Sequence, residues 1–259
     1  KKQNPRRYWI QCGITKAVHT MLTERSFDFE KYERGPTNSG PARQVFSKPF
    51  LIVTSTTTTQ LPHYLSMYVA NMHMVAASTY VNIVNDYDIV GGRSSGGSGR
   101  GGGGGGSGGG GGDNSNLTVD FQSQNMIIIG RDNALWQEYL EEPVRPPVER
   151  LPNGFRVGPC VFNQSGTGLI FLAPHWDAVS NASRLRLYIV GNDDEGLRAA
   201  GRLVIPTIPP MLRAPLSNQI PDFVVVSKNV LQRGAGGILA SGSWNYDWSF
   251  SREASYWQC

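Results

Sequence analysis

Short, unbroken apolar runs, each closed by a polar turn, constrain this chain more than any other feature. Phe50-Leu51-Ile52-Val53, Met126-Ile127-Ile128-Ile129, Leu187-Tyr188-Ile189-Val190 and Phe223-Val224-Val225-Val226 are strand-length and rich in β-branched side chains. A strand covered on both faces needs no alternation of apolar and polar residues, the pattern of parallel sheets. After the first run, Pro62 sits where a first helical turn tolerates a missing N–H, and Leu65, Tyr68, Val69, Met72, Val75 and Ala76 recur at three- and four-residue spacing. The neighbouring Met67, Met72 and Met74 read as core filling. Tyr80-Val81-Asn82-Ile83-Val84 then completes the strand-helix-strand unit that a parallel pair requires.

The unit recurs. The run ending at Gly130 leads through Arg131-Asp132-Asn133 into a helix over 134–140, and Gly191 leads through Asn192-Asp193-Asp194-Glu195-Gly196 into a helix over 197–204. Carboxylates at that second start cap free N–H groups and complement the helix dipole. Strands at 156–162 and 168–173, joined by Asn163-Gln164-Ser165-Gly166-Thr167, predict an antiparallel edge hairpin. The expected fold class is α/β: a mostly parallel, doubly wound sheet of Rossmann-like or flavodoxin-like winding. Residues 1–45 are expected as an arm with short strands and 46–259 as one domain. Within that domain the glycine tract at 91–113, holding about half of the chain's 31 glycines, is a disordered insertion spanning roughly 25 Å root-mean-square.

The formal charge of +4 over 259 residues leaves no basic stripe, only Lys1, Lys2, Arg6 and Arg7 together, which argues against nucleic acid as a partner. No run reaches the ~18 apolar residues of a membrane-spanning helix. Three sequons, at Asn116, Asn163 and Asn181, favour an extracellular address or the secretory pathway and vacuole, with glycans on those asparagines. Cys12, Cys160 and Cys259 form no Cys-x-x-Cys pair; in an oxidising compartment one bridge and one leftover thiol is the simplest account, and the sequence does not choose the pair.

Ligands of open α/β sheets bind outside the carboxyl ends of the strands. That rule selects Thr56 and Thr57, Arg131 and Asp132, His175, and Asn192 and Asp193 as ligand-binding candidates. His175 could act as a base oriented by Asp177 or Asp193, but no Gly-x-Ser-x-Gly elbow supplies a nucleophile, and Ser241 lacks that frame. His19, His63, His73 and His175 are scattered without metal-ligand spacing, and no dinucleotide or phosphate-loop fingerprint occurs, so no metal or cofactor is expected.

Three sets of residues carry a resemblance: Glu33-Arg34-Gly35-Pro36 with Gly40-Pro41-Ala42-Arg43, Thr207-Ile208-Pro209-Pro210-Met211 with Pro221-Asp222-Phe223-Val224-Val225, and Gly236-Gly237-Ile238-Leu239-Ala240 with Trp244. As a set they resemble the carboxyl-terminal region of fungal secreted proteins related to prolyl-oligopeptidase-like α/β-hydrolases. The resemblance implies a non-catalytic region of a longer secreted chain. The first functional reading is therefore a secreted structural or ligand-binding domain whose partner is the rest of a larger precursor or a second copy of itself. A serine-type hydrolase and a carbohydrate-binding module, the latter stacking glycan on Trp136, Trp176, Trp244, Trp248 and Trp257, are the alternatives.

Overall fold

The computed structural model describes residues 32–35, 42–56, 59–94, 124–177, 182–204 and 220–259. After a 3-10 turn over Ala42–Ser47, the first apolar run forms β1 (Phe50–Thr54), and a 17-residue helix, α1 (Leu61–Ala77), leads to β2 (Ile83–Asn85). Pro62 occupies the first turn of α1, and Ser78, at φ 51°, closes the helix by turning its N–H toward the carbonyls of His73 and Met74. There follow α2 (Asp86–Ser94), β3 (Asn125–Ile129) and α3 (Leu135–Glu141). Next come β4 (Val148–Leu151), β5 (Gly154–Val157) and β6 (Cys160–Phe162), which make a small antiparallel sheet of their own. The chain continues through β7 (Thr167–Asp177), β8 (Ala182–Gly191), α4 (Asp194–Gly201), β9 (Phe223–Ser227), α5 (Val230–Arg233), β10 (Ile238–Trp244) and β11 (Phe250–Trp257).

Among the described residues the large sheet has eight strands in the order β11-β10-β9-β7-β8-β3-β1-β2. Strands β8, β3, β1 and β2 are parallel, while β7 is antiparallel to both β8 and β9, and β10 and β11 continue antiparallel. This corrects the expected fold class. The molecule is mostly β, with a mixed sheet and few helices, and is neither a doubly wound parallel α/β domain nor Rossmann-like or flavodoxin-like. An unbroken apolar run reports burial on both faces and says nothing of direction: 169–172 and 223–226 are as buried as 126–129, yet they pair antiparallel. The expected hairpin is corrected too. Residues 154–162 fold back on themselves around Gly158-Pro159 as β5 and β6, and β7 pairs with β8 and β9 instead.

Register builds the core. Phe171 lies opposite Tyr188, their rings stack at 4.8 Å, and α3 covers that face with Trp136 edge-on at 5.6 Å from each. At the other end of β7, α4 comes so close that a Cβ on Gly168 would lie 2.1 Å from the Gly196 carbonyl oxygen. Among the described side chains of α1, Pro62, Leu65, Ser66, Val69 and His73 are buried, whereas Met67, Met74 and Val75 are exposed and Met72 is half-buried, so Met67 and Met74 are not the core filling their spacing suggested.

The carboxyl-terminal aromatics fold inward. Trp244 and Trp248 are buried, and Cys160 at the start of β6 is bonded to Cys259 just beyond β11, closing the small sheet against the edge of the large one. Residues 32–35 lie on the same hairpin. The Arg34 guanidinium pairs with both oxygens of Asp222 at 2.5 and 2.8 Å and sits 4.7 Å over the Trp248 ring, whose Nε1–H donates to the Tyr32 carbonyl at 2.6 Å. Of the expected glycine insertion, 91–94 belong to α2. Its remainder, the basic cluster Lys1, Lys2, Arg6 and Arg7, and Cys12, Thr57, Asn116 and Asn181 lie outside the described residues.

Candidate functional site

In the parallel half of the sheet β1 is flanked by β2 on one side and β3 on the other, and such a switch point is where open sheets place ligands. Asp86, which the sequence pattern did not single out, fills it. Its carboxylate is 2% exposed; Oδ1 accepts from the Thr56 hydroxyl at 2.9 Å, the Thr56 N–H at 3.3 Å and the Tyr87 N–H at 3.1 Å, and Oδ2 from the Ala134 N–H at 2.8 Å. The protein's own anion thus occupies the point where backbone donors at the starts of α2 and α3 converge. Asn133 works beside it, donating to the Val53 carbonyl at 3.3 Å and accepting from the Leu135 N–H at 3.1 Å. Gly130, at φ 114°, is held where any side chain would strike Ser55, 2.7 Å away.

The other candidates at this edge bind the small sheet. Arg131 donates to the carbonyls of Asn192 at 2.9 Å, Leu151 at 3.2 Å and Pro152, Asp132 pairs with Arg150, and the Asn192 amide donates to the carbonyls of Phe162 and Gln164 at 3.2 and 2.9 Å. Between them runs a cleft lined by Arg131, Trp136, Arg150, Phe155 and Val190, with room on the order of one water molecule. Asp193 caps α4. Burial alone would raise its carboxyl, but hydrogen bonds from the Ser165 hydroxyl, the Gly196 N–H and the Gly166 N–H outweigh that and hold it below the usual carboxylate range.

His175 is not at this edge. Because β7 runs antiparallel, His175 faces Arg184 across the strand pair while Gly168 faces Gly191, which leaves His175 and Asp193 roughly 25 Å apart along the sheet. Two-residue alternation puts Phe171, Ala173 and His175 under α3 on one face, with Arg186 and Tyr188 beside them. Glu142, just past α3, meets His175 Nδ1 at 2.5 Å, and Glu138, one turn earlier, meets the fully buried Arg186 at 3.0 Å. Burial of Arg186 favours its neutral form, but Tyr188 and Glu138 beside it outweigh that and keep the guanidinium charged. Burial, with the Glu142 carboxylate adding to it, pushes the Tyr32 hydroxyl up to about 12.

The hydrolase arrangement is therefore not assembled among these residues. Ser241 lies in register with Val224 and so with Ile170, roughly 15–20 Å along the sheet from His175, and Asp177 belongs to the same strand as the histidine. Among the proposed stacking tryptophans, Trp136, Trp244 and Trp248 are core residues. Among the described residues no three His, Cys, Asp or Glu side chains are grouped to hold a metal, and no helix is long and apolar enough to cross a membrane.

The chain is similar to a fungal secreted protein. An "Uncharacterized secreted protein" of Arthroderma benhamiae is 38% identical over 93 residues, which are 36% of this chain and 8% of that protein. The chain thus matches less than a tenth of its relative's length. No protein-family model and no solved structure matches it, and nothing in these comparisons bears on the prolyl-oligopeptidase-like resemblance.

Proposed function

We propose that this chain is an extracellular module of a larger secreted protein, one that binds or spaces its neighbours and performs no chemistry of its own. The observation that carries this reading is the use made of the polar side chains at the two ends of the sheet. Asp86, Arg131, Asn192 and Asp193 hold loops and the small sheet in place, and His175 is engaged by Glu142. The Cys160–Cys259 bond supports an oxidising compartment, and the exposed Asn163, in the turn between β6 and β7, is an accessible sequon. The secreted relative points the same way.

The test is chemical. Material recovered from a secreting host should carry the 160–259 bridge by non-reducing peptide mapping and should stay unlabelled by a serine-directed fluorophosphonate. His175→Ala should lower the unfolding midpoint through loss of the Glu142 contact. Labelling that disappears in His175→Ala would establish a hydrolase instead.

A further inference from the structure

A helix on the outside of a domain ordinarily turns charged residues to water. Helix α1 has none: LPHYLSMYVANMHMVAA contains no Asp, Glu, Lys or Arg. Its inner face, Leu65, Val69 and His73, packs on the sheet. Its outer face repeats at the same helical spacing, with Tyr64, Met67, Met74 and Val75 all exposed, the last to 81%. Tyr80, 85% exposed in the loop that leads from α1 to β2, and Tyr87, 68% exposed on α2 directly after β2, flank this edge strand of the sheet. Keeping such a surface in water costs free energy that grows with its apolar area, and contiguous patches of this kind mark interfaces.

From this we infer that the outer face of α1, with the adjoining β2 edge, is where a second copy of this chain docks. The inference rests on the binding-module reading above and names the partner. Two observations favour a second copy. A two-fold interface sets a surface against itself, so any charge on it meets its like; the helix carries no Asp, Glu, Lys or Arg, the exposed Asn71 within its outer face is uncharged, and the exposed Asp88 lies on α2. The area also fits. With side chains of up to about 150–250 Å² each, the six exposed residues offer on the order of 700 Å², close to one partner's share of a standard interface. Met and Tyr are residue types that such interfaces favour.

Sedimentation equilibrium of the full 259-residue chain tests it. The wild type should associate as a dimer with a dissociation constant on the order of micromolar or tighter, the range expected for an interface of that area. Met67→Glu with Val75→Glu should weaken association at least roughly tenfold with an unchanged circular dichroism spectrum. Tyr80→Lys, in a loop and outside the helix, should do the same, whereas Leu231→Glu, exposed on α5, should not. A wild type that stays monomeric, or charge variants that dimerise as it does, overturns the inference and gives the face to another occupant, such as the rest of the secreted chain. A monomer with the 160–259 bridge intact and no fluorophosphonate label would overturn self-docking alone. Labelling would overturn the module reading and leave the dimer measurement standing.

Discussion

Acid should destabilise this fold through a buried histidine on the inner face of α1. His73 sits on the inner face of α1, 3% exposed, with the rings of Phe46 and Phe50 edge-on at 4.5 and 5.0 Å and with Nε2 unpartnered among the described residues. Burial among these rings disfavours the imidazolium and pulls the group from its ordinary 6.5 down to about 4. The unfolded chain therefore takes up a proton near pH 6.5, while the folded chain resists until about pH 4. The stabilising contribution is complete above about pH 6.5 and is lost as pH falls through that window. At pH 5 the ceiling on that loss is about 2 kcal/mol, and solvent screening brings the expectation to about 1–2 kcal/mol. Urea unfolding of the wild type and of His73→Leu, each at pH 7.5 and pH 5.0, isolates the effect, because every other group titrates in both proteins. The wild type should lose more stability than the variant over that interval, and His63→Gln, exposed on the same helix, should follow the wild type. Equal losses in wild type and His73→Leu would refute the argument that burial of a neutral imidazole sets the pH dependence.

Three further outcomes follow from the contacts. Replacing Cys160 and Cys259 by serine opens a loop of 99 residues' separation and should cost about 4–5 kcal/mol by denatured-chain entropy, read as the shift in urea midpoint between oxidised wild type and the double variant. Arg34→Leu leaves the buried Asp222 carboxylate without its cation and should cost about 3–5 kcal/mol; Arg34→Leu with Asp222→Leu should recover part of that in a double-mutant cycle, and strict additivity would sink the pairing. Asp193→Ala removes the α4 cap and the anchor of the Ser165-Gly166 turn, for an expected loss of about 1–2 kcal/mol by thermal denaturation.

What was legible in the sequence was what local physics decides. Pro62 at the start of α1, Asp193 before α4 and the apolar runs of β1, β3, β8 and β9 are settled within a few residues of themselves, by a missing N–H, a capping oxygen or a β-branched run. Strand direction is settled by the connection. Residues 174–185 hold no helical periodicity, and a parallel return from β7 to β8 would need a crossover of a dozen residues or more, usually helical. The absence of a helical segment between these two apolar runs was therefore the sign of an antiparallel pair, and reading it would have removed His175 from the carboxyl edge.

The buried charges were legible by a different route. Arg186 stands in the middle of Leu185-Arg186-Leu187-Tyr188-Ile189, and a guanidinium inside a strand covered on both faces must find a carboxylate. Glu138 lies on a helix whose buried residues are Leu135, Trp136 and Tyr139, and Glu142, four residues on, follows directly after its end, so both acids reach the sheet beneath α3. Arg186 takes the first and His175, on the neighbouring strand and two residues beyond the position facing Arg186, takes the second. Asp86 left a fainter trace, a carboxylate directly after a short strand and at a helix start, with its four donors drawn from Thr56, Tyr87 and Ala134. Those donors are far apart in sequence, and only the parallel placement of β1, β2 and β3 brings them to one carboxylate.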